Sequence, residues 1–112
     1  MGEWGMVIGS PKVIRKMKAQ IKRLADQQAD IYKVFSNATR LRILLALAEQ
    51  ELSVGEIAAA AETSLQNTSQ HLHLMYDKGI LTSRRESQTI YYRIADNEML
   101  RRYLHQLQEL LS

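Results

Sequence analysis

The sequence predicts a mainly α-helical fold carrying one small β-hairpin, and three observations predict it. Apolar residues recur every three or four positions over residues 14–35 and 99–111, the spacing that lines a helix face, and residues 41–48 are apolar nearly all round. Residues 53–78 read as a short apolar helix, a brief break, and a second helix whose first two turns are small and polar. Two β-prone runs, residues 80–85 and 89–94, then follow Gly79 and flank Glu86-Ser87-Gln88.

Each element has its own local reason. Residues 1–10 hold three glycines, no periodicity and an isolated Trp4, and are expected to form a flexible N-terminal tail. Residues 11–112 are expected to form a single domain. Ser10-Pro11 is a helix start, with Ser as N-cap and Pro at the first helical position. Ile14, Met17, Ile21, Leu24, Gln28, Ile31 and Phe35 then form a heptad-like seam with Gln28 as its polar position. A lone amphipathic helix on its own core has the same spacing, but the length of this one favours a partner helix. Ser36-Asn37-Ala38-Thr39 breaks the pattern and caps the next helix, whose Leu41, Ile43, Leu44, Leu45, Leu47 and Ala48 are apolar nearly all round. That composition argues a central, buried helix with Arg40 and Arg42 as its exposed exceptions.

Ser53 and Glu56 spell a capping box that opens the third helix, reaching about Ala60. The fourth spans residues 64–78; Leu72, Leu74, Met75 and Tyr76 anchor its second half, and Gly79 stops it. A hairpin placed after a helix-turn-helix is a wing, and two strands alone are marginal in water, so it must lean on the helices. Asp96 is expected to cap the last helix, where Met99, Leu100, Tyr103, Leu104, Leu107, Leu110 and Leu111 make a stripe that needs a cover. The architecture expected is therefore a winged helix-turn-helix that dimerises through its first and last helices. Ile14, Met17, Ile21 and Leu24 would meet Tyr103, Leu104, Leu107 and Leu111 in that interface.

Composition narrows the function. With 46% hydrophobic and 24% charged residues, the chain can bury a modest core like any globular domain. The absence of cysteine removes disulfides, zinc–thiolate sites and thiol switches together. No stretch resembles an export signal or approaches transmembrane length, so a cytoplasmic protein is expected. The net charge of +3 says less than its distribution: residues 12–23 carry six bases and no acid. Arg84, Arg85 and Arg93 form a second basic group, Arg101 and Arg102 a third. Such groups serve either as solvated helix faces or as a polyanion footprint, and for residues 12–23 both uses stay open. There is no Ser-His-Asp arrangement, no Gly-rich phosphate loop and no paired acid and base, so neither catalysis nor a cofactor is expected.

The polar start of the fourth helix carries the sharpest signal. Ser64, Gln66, Asn67, Thr68, Ser69 and Gln70 are poor core residues and only fair helix formers, but they suit base edges and phosphates. Gln66, Asn67, Ser69 and Gln70 are the candidate base readers, since amides bond adenine in two places in the major groove; the bland alternative is a solvated helix surface. Ser64 and Thr68 are expected to touch phosphate, and His73 to reach it. His71 is read as structural. It points about 200° away from His73 on a helix, so the two do not chelate. Arg84, Arg85 and Gln88 on the wing would meet the DNA backbone or minor groove; as the bland alternative, they are edge charges that block aggregation. Glu98, Arg102, His105 and Glu109 share one helix face and read as ion pairs, with a hard or borderline metal at Glu98, His105 and Glu109 as the lesser alternative. Tyr32, Phe35, Tyr103 and Leu107 either line a ligand pocket or are plain core.

In this order and spacing, the motifs resemble the ArsR/SmtB family of bacterial winged-helix repressors over roughly residues 31–111. The segments that carry the resemblance are Phe35-Ser36-Asn37-Ala38-Thr39-Arg40-Leu41-Arg42-Ile43-Leu44, Glu51-Leu52-Ser53-Val54-Gly55-Glu56-Ile57, Thr68-Ser69-Gln70-His71-Leu72, Gly79-Ile80-Leu81, and Arg84-Arg85 with Tyr91-Tyr92. The resemblance implies a homodimer on a two-fold pseudosymmetric, double-stranded operator, released when an inducer binds. It also implies departures. Metal sensors that use the third helix have cysteines at the positions of Ser53 and Gly55, and polysulfide sensors need a cysteine pair. The last-helix zinc and nickel site matches Asp96, Glu98, Glu109 and Ser112, where only carboxylates remain, and such sites favour imidazole. The function expected is a sequence-specific, homodimeric transcriptional repressor without a cysteine-based metal site, its inducer unspecified. The alternative is a winged-helix protein-interaction module without operator binding.

Overall fold

The computed structural model describes residues 9–111, so most of the expected N-terminal tail, Trp4 included, and Ser112 lie outside the described residues. The chain falls into two compact units, the first reaching to Lys33 and the second starting at Val34. The first unit is built on helix α1 (Pro11–Phe35). Its start is the one the sequence spells: the Ser10 hydroxyl accepts the Val13 N–H at 3.2 Å. Val13, Ile14, Met17, Ile21 and Leu24 are all exposed, Ile21 to 60%. No helix among the described residues is long and apolar enough to cross a membrane.

The second unit holds the core. Helix α2 (Ala38–Leu47) begins at Asn37, whose side chain accepts the Arg40 N–H at 3.0 Å. Ile43, Leu44 and Leu47 on α2 are buried, and the helix touches α3 (Val54–Ala61), β3 (Thr89–Ile94) and α5 (Glu98–Glu109). Arg40 and Arg42 are not idle exceptions on this helix. Arg40 Nε donates to the Val34 carbonyl at 3.0 Å, and Arg42 reaches the Ala61 carbonyl at 3.5 Å, where α3 ends. The Arg42 guanidinium thus meets one of the carbonyls at a helix C-terminus.

Helix α3 opens with the complete capping box: Ser53 N–H donates to Glu56 Oε1 at 2.9 Å, and Glu56 N–H to Ser53 Oγ at 3.3 Å. It closes at Glu62, in the left-handed region at φ +55°, which reverses the chain into the helix-turn-helix turn. Helix α4 (Leu65–Asp77) starts at the N-cap Ser64 and ends in a Schellman motif. There Gly79 adopts φ +76°, its N–H bonds Tyr76 O at 3.0 Å, and Ile80 N–H bonds Met75 O at 2.9 Å.

The hairpin pairs β2 (Leu81–Glu86) with β3 antiparallel, from Leu81 opposite Ile94 to Glu86 opposite Thr89. A third strand, unforeseen from sequence, completes it. β1 (Leu52–Ser53) pairs with β3 through Leu52–Tyr92 and Ser53–Tyr91, giving the order β1-β3-β2. The wing therefore leans on a strand as well as on helices, and β3, not the hairpin edge, is central. The expected cap of the last helix is corrected too. Asn97 is the N-cap of α5, its side chain accepting from Met99 N–H at 2.9 Å and Leu100 N–H at 3.1 Å. Asp96, one residue earlier, instead pairs with Arg101.

Two tests follow. Glu62→Gly removes the Cβ clash of the left-handed conformation at some entropic cost, and is expected to raise stability by about 0.5–1 kcal/mol in urea unfolding. Glu56 has its carboxyl held below the ordinary range, first by the Ser53 backbone N–H and then by its hydroxyl. Its contribution is present above the unfolded carboxylate pKa and is lost as pH falls through the folded one. The stability gap between the wild type and Glu56→Gln should narrow on acidification below about pH 4.

Candidate nucleic-acid interface

Helix α4 has two opposed faces. Thr68, Leu72 and Met75 stand at positions i, i+4 and i+7, and all three are fully buried. Gln66, Gln70 and His73 repeat the same spacing on the other side, and all three are exposed. The buried stripe seats α4 on α3 and β2. That seating leaves a row of neutral amides and one imidazole facing water.

The predicted site residues divide accordingly. Thr68 is a correction: it is 0% exposed, and its hydroxyl donates to the Ser64 carbonyl at 2.7 Å, so it is out of reach of phosphate. Asn67 is half-buried, and its side-chain amide donates to Thr63 Oγ1 at 2.8 Å, which leaves less of it free. Ser64 is exposed, but its hydroxyl already accepts the Asn67 N–H at 3.0 Å; its own proton remains available to a partner. Ser69 is half-exposed beside Gln70. His71 is half-buried, and burial first, then nearby Arg40, pushes its pKa below the ordinary histidine value. A neutral, structural imidazole fits that setting. Among the described residues, no group of three His, Cys, Asp or Glu side chains is placed to hold a metal ion.

On the wing, strand alternation sends Arg84 and Arg85 to opposite faces. Arg84 is tied down: it pairs with Glu51 at 2.6 Å and Glu86 at 2.8 Å, and its guanidinium lies 4.6 Å from the centre of the Tyr91 ring. Those carboxylates, Glu51 foremost, raise its pKa further. Glu51 immediately precedes β1, so this guanidinium fastens the wing to the chain entering α3. In this structure it thus holds the wing in place, while the side chain stays half exposed. Arg85 is exposed, and so is Gln88 in the turn beside Ser87. Arg93 donates to Thr82 Oγ1 at 3.2 Å across the hairpin.

The candidate dimerisation residues also divide. Ile14, Met17, Ile21 and Leu24 are exposed, as is Leu111 at 74%. Leu104 is a correction: at 4% exposure it belongs to the core of its own chain. Leu107 is half-buried, as is Tyr103, whose ring meets the half-buried Phe35 edge-to-face with centroids 5.4 Å apart, an ordinary aromatic contact. Leu110, exposed to 81%, was missing from that set although its place in the stripe marked it. The charged face of α5 is laced as expected, with Arg102–Glu98 at 3.6 Å and His105–Glu109 at 3.0 Å.

A helix-turn-helix with an outward amide face and a strand-backed wing defines a winged helix-turn-helix protein of the nucleic-acid-binding kind. A family model described as a helix-turn-helix domain matches residues 35–84. The chain is 32% identical over 92 residues to a transcriptional repressor SmtB homolog of Synechocystis, covering 80% of this chain and 70% of that one. It is 38% identical over 69 residues to the transcriptional activator HlyU of Vibrio cholerae, covering 62% of this chain and 64% of the relative. The homodimeric winged helix-turn-helix DNA-binding domain Mb0332 of Mycobacterium bovis superposes with a TM-score of 0.70 at 35% identity, over 82% of this chain and 84% of that one. The chain belongs to the ArsR/SmtB family of winged helix-turn-helix transcriptional regulators.

The two wing arginines are separable by experiment. Arg84→Ala should lower the thermal midpoint, and 1 M salt should shrink that loss as it screens the pairs. Arg85→Ala should stay within about 2 °C of wild type in the same melts.

Proposed function

We propose that the protein is a homodimeric repressor that binds a two-fold pseudosymmetric DNA operator. Each subunit lays α4 in a major groove, with half-sites about one turn, ~34 Å, apart. Gln66 and Gln70 read base edges, with adenine as the natural partner of a bidentate amide. Ser69 and the remaining capacity of Asn67 flank them. Ser64 and His73 contact phosphate, and Arg85 with Gln88 on the wing contact the backbone or minor groove beside each half-site. The exposed apolar seam of α1 and the leucines ending α5 form the dimer contact. The domain that does this is residues 11–112, acting in the cytoplasm with no catalytic step.

One observation carries the reading: the row Gln66, Gln70 and His73 lies exposed opposite the buried row Thr68, Leu72 and Met75. Amides on the first row would also suit a solvated helix face; their place on the second helix of a helix-turn-helix is what favours contact. The choice of repressor over activator follows the SmtB-like relative; HlyU shows that the family name alone does not decide it.

The test is a titration of DNA containing the promoter of the protein's own operon, followed by anisotropy at several salt concentrations. Binding as a dimer is expected, with Gln66→Ala and Gln70→Ala each losing about 1–3 kcal/mol of discrimination against a changed base pair. Arg85→Ala should weaken all duplexes alike and reduce the salt slope by about 1. A protein that sediments as a monomer and binds no duplex at low salt would refute the proposal. A reporter that falls on deletion of the gene would replace the repressor with an activator.

A further inference from the structure

We infer that Leu65 is a specificity residue that reads thymine, its side chain meeting the C5-methyl group in the major groove. The inference rests on the proposed operator binding and deepens it. Leu65 is the first residue of α4 and is 59% exposed, while the core contact of the helix is carried by Thr68, Leu72 and Met75. An exposed leucine is ordinary on any surface. This one is set apart by its neighbours. Leu65 and Ser69 are one turn apart on a flank of the face that presents Gln66 and Gln70. The other exposed apolar residues of α4, Leu74 and Tyr76, come after those two turns.

The chemistry of an A·T pair matches this arrangement. Adenine offers N7 and N6 to an amide, and thymine displays its methyl group in the same groove. That methyl is the one alkyl group among the major-groove edges of the four bases. A glutamine on adenine with a leucine against thymine would use both halves of the pair. Leucine also works by exclusion. Facing the acceptors of guanine or the amino group of cytosine, it would strip them of water and return no hydrogen bond.

Deoxyuridine isolates the methyl group, because it differs from thymidine by that group alone. Duplexes are selected from a random pool with the wild-type full-length protein. Each recurrent thymine is then replaced by deoxyuridine in both half-sites, and affinity is measured by anisotropy for wild type, Leu65→Ala and Leu65→Met. At one thymine position, loss of the methyl group should weaken wild-type binding about fourfold per half-site. Leu65→Ala should be weaker on the thymine duplex and indifferent to the replacement, whereas Leu65→Met, which keeps an apolar side chain of similar volume, should retain the sensitivity. Wild type that binds a selected duplex but ignores every replacement overturns the inference, as does Leu65→Ala that keeps wild-type sensitivity. Failure of wild type to select any duplex is a separate result: it removes the operator reading, and this inference with it.

Discussion

The two-sidedness of α4 is the constraint on which the rest depends. A helix of 13 residues gives up one stripe to the core and keeps the other in water. The buried stripe includes a threonine, which is costly unless its hydroxyl is satisfied. Thr68 solves this within its own helix by donating to the Ser64 carbonyl, one turn back. The N-terminal turn is thereby held twice, since Ser64 also caps the Asn67 N–H. The exposed amides project from a turn whose backbone is fixed, and fixed geometry is what a bidentate contact requires.

The second support is the sheet. A hairpin of two strands would be a loose appendage. Here β1 adds two residues to the far side of β3, and those residues come directly before α3. Ser53 is the last residue of β1 and the N-cap of α3 at once. The same residue therefore sets where the helix begins and where the wing is tied. Arg84 adds a second tie from the opposite strand, reaching Glu51 just ahead of β1. Helix-turn-helix and wing are tied together through residues 51–53.

Much of this was legible in the sequence, for identifiable reasons. Caps that depend on a few adjacent residues were readable: Ser10-Pro11, Asn37, the Ser53–Glu56 box and Gly79 each act as their local chemistry dictates. So was the burial of α2, but in α4 only Leu72 and Met75 anchor the second half as read; Leu74 and Tyr76, expected in the core with them, are exposed. What escaped depends on partners distant in sequence. β1 is two residues long, too short to leave an alternating pattern, and exists only because β3 lies beside it. Arg84 looked like a free cation because its partner Glu51 is 33 residues away. Asp96 and Asn97 are both good N-caps, and choosing between them required knowing that Arg101 takes the aspartate. Thr68 and Leu104 were misassigned for one reason: polarity marked the first as surface and a stripe marked the second as interface, while burial is decided by what packs above them.

The charge pattern of α4 bears on how the proposed operator contact would be divided. From Leu65 to Asp77 the helix contains no lysine or arginine, and its one carboxylate, Asp77, is at the far end. The reading face therefore gains little from the phosphate field as such. In the proposed complex, sequence-independent, salt-sensitive attraction would come from elsewhere in the chain, and the proposal assigns part of it to Arg85, which is exposed on the strand face opposite its tethered neighbour. Amides and a leucine return free energy only when the correct edges face them, and they leave polar groups unpaired when those edges are wrong. Separating the two tasks lets non-specific affinity stay modest without weakening discrimination. A lysine in place of Gln66 or Gln70 would bind every duplex more tightly and distinguish them less.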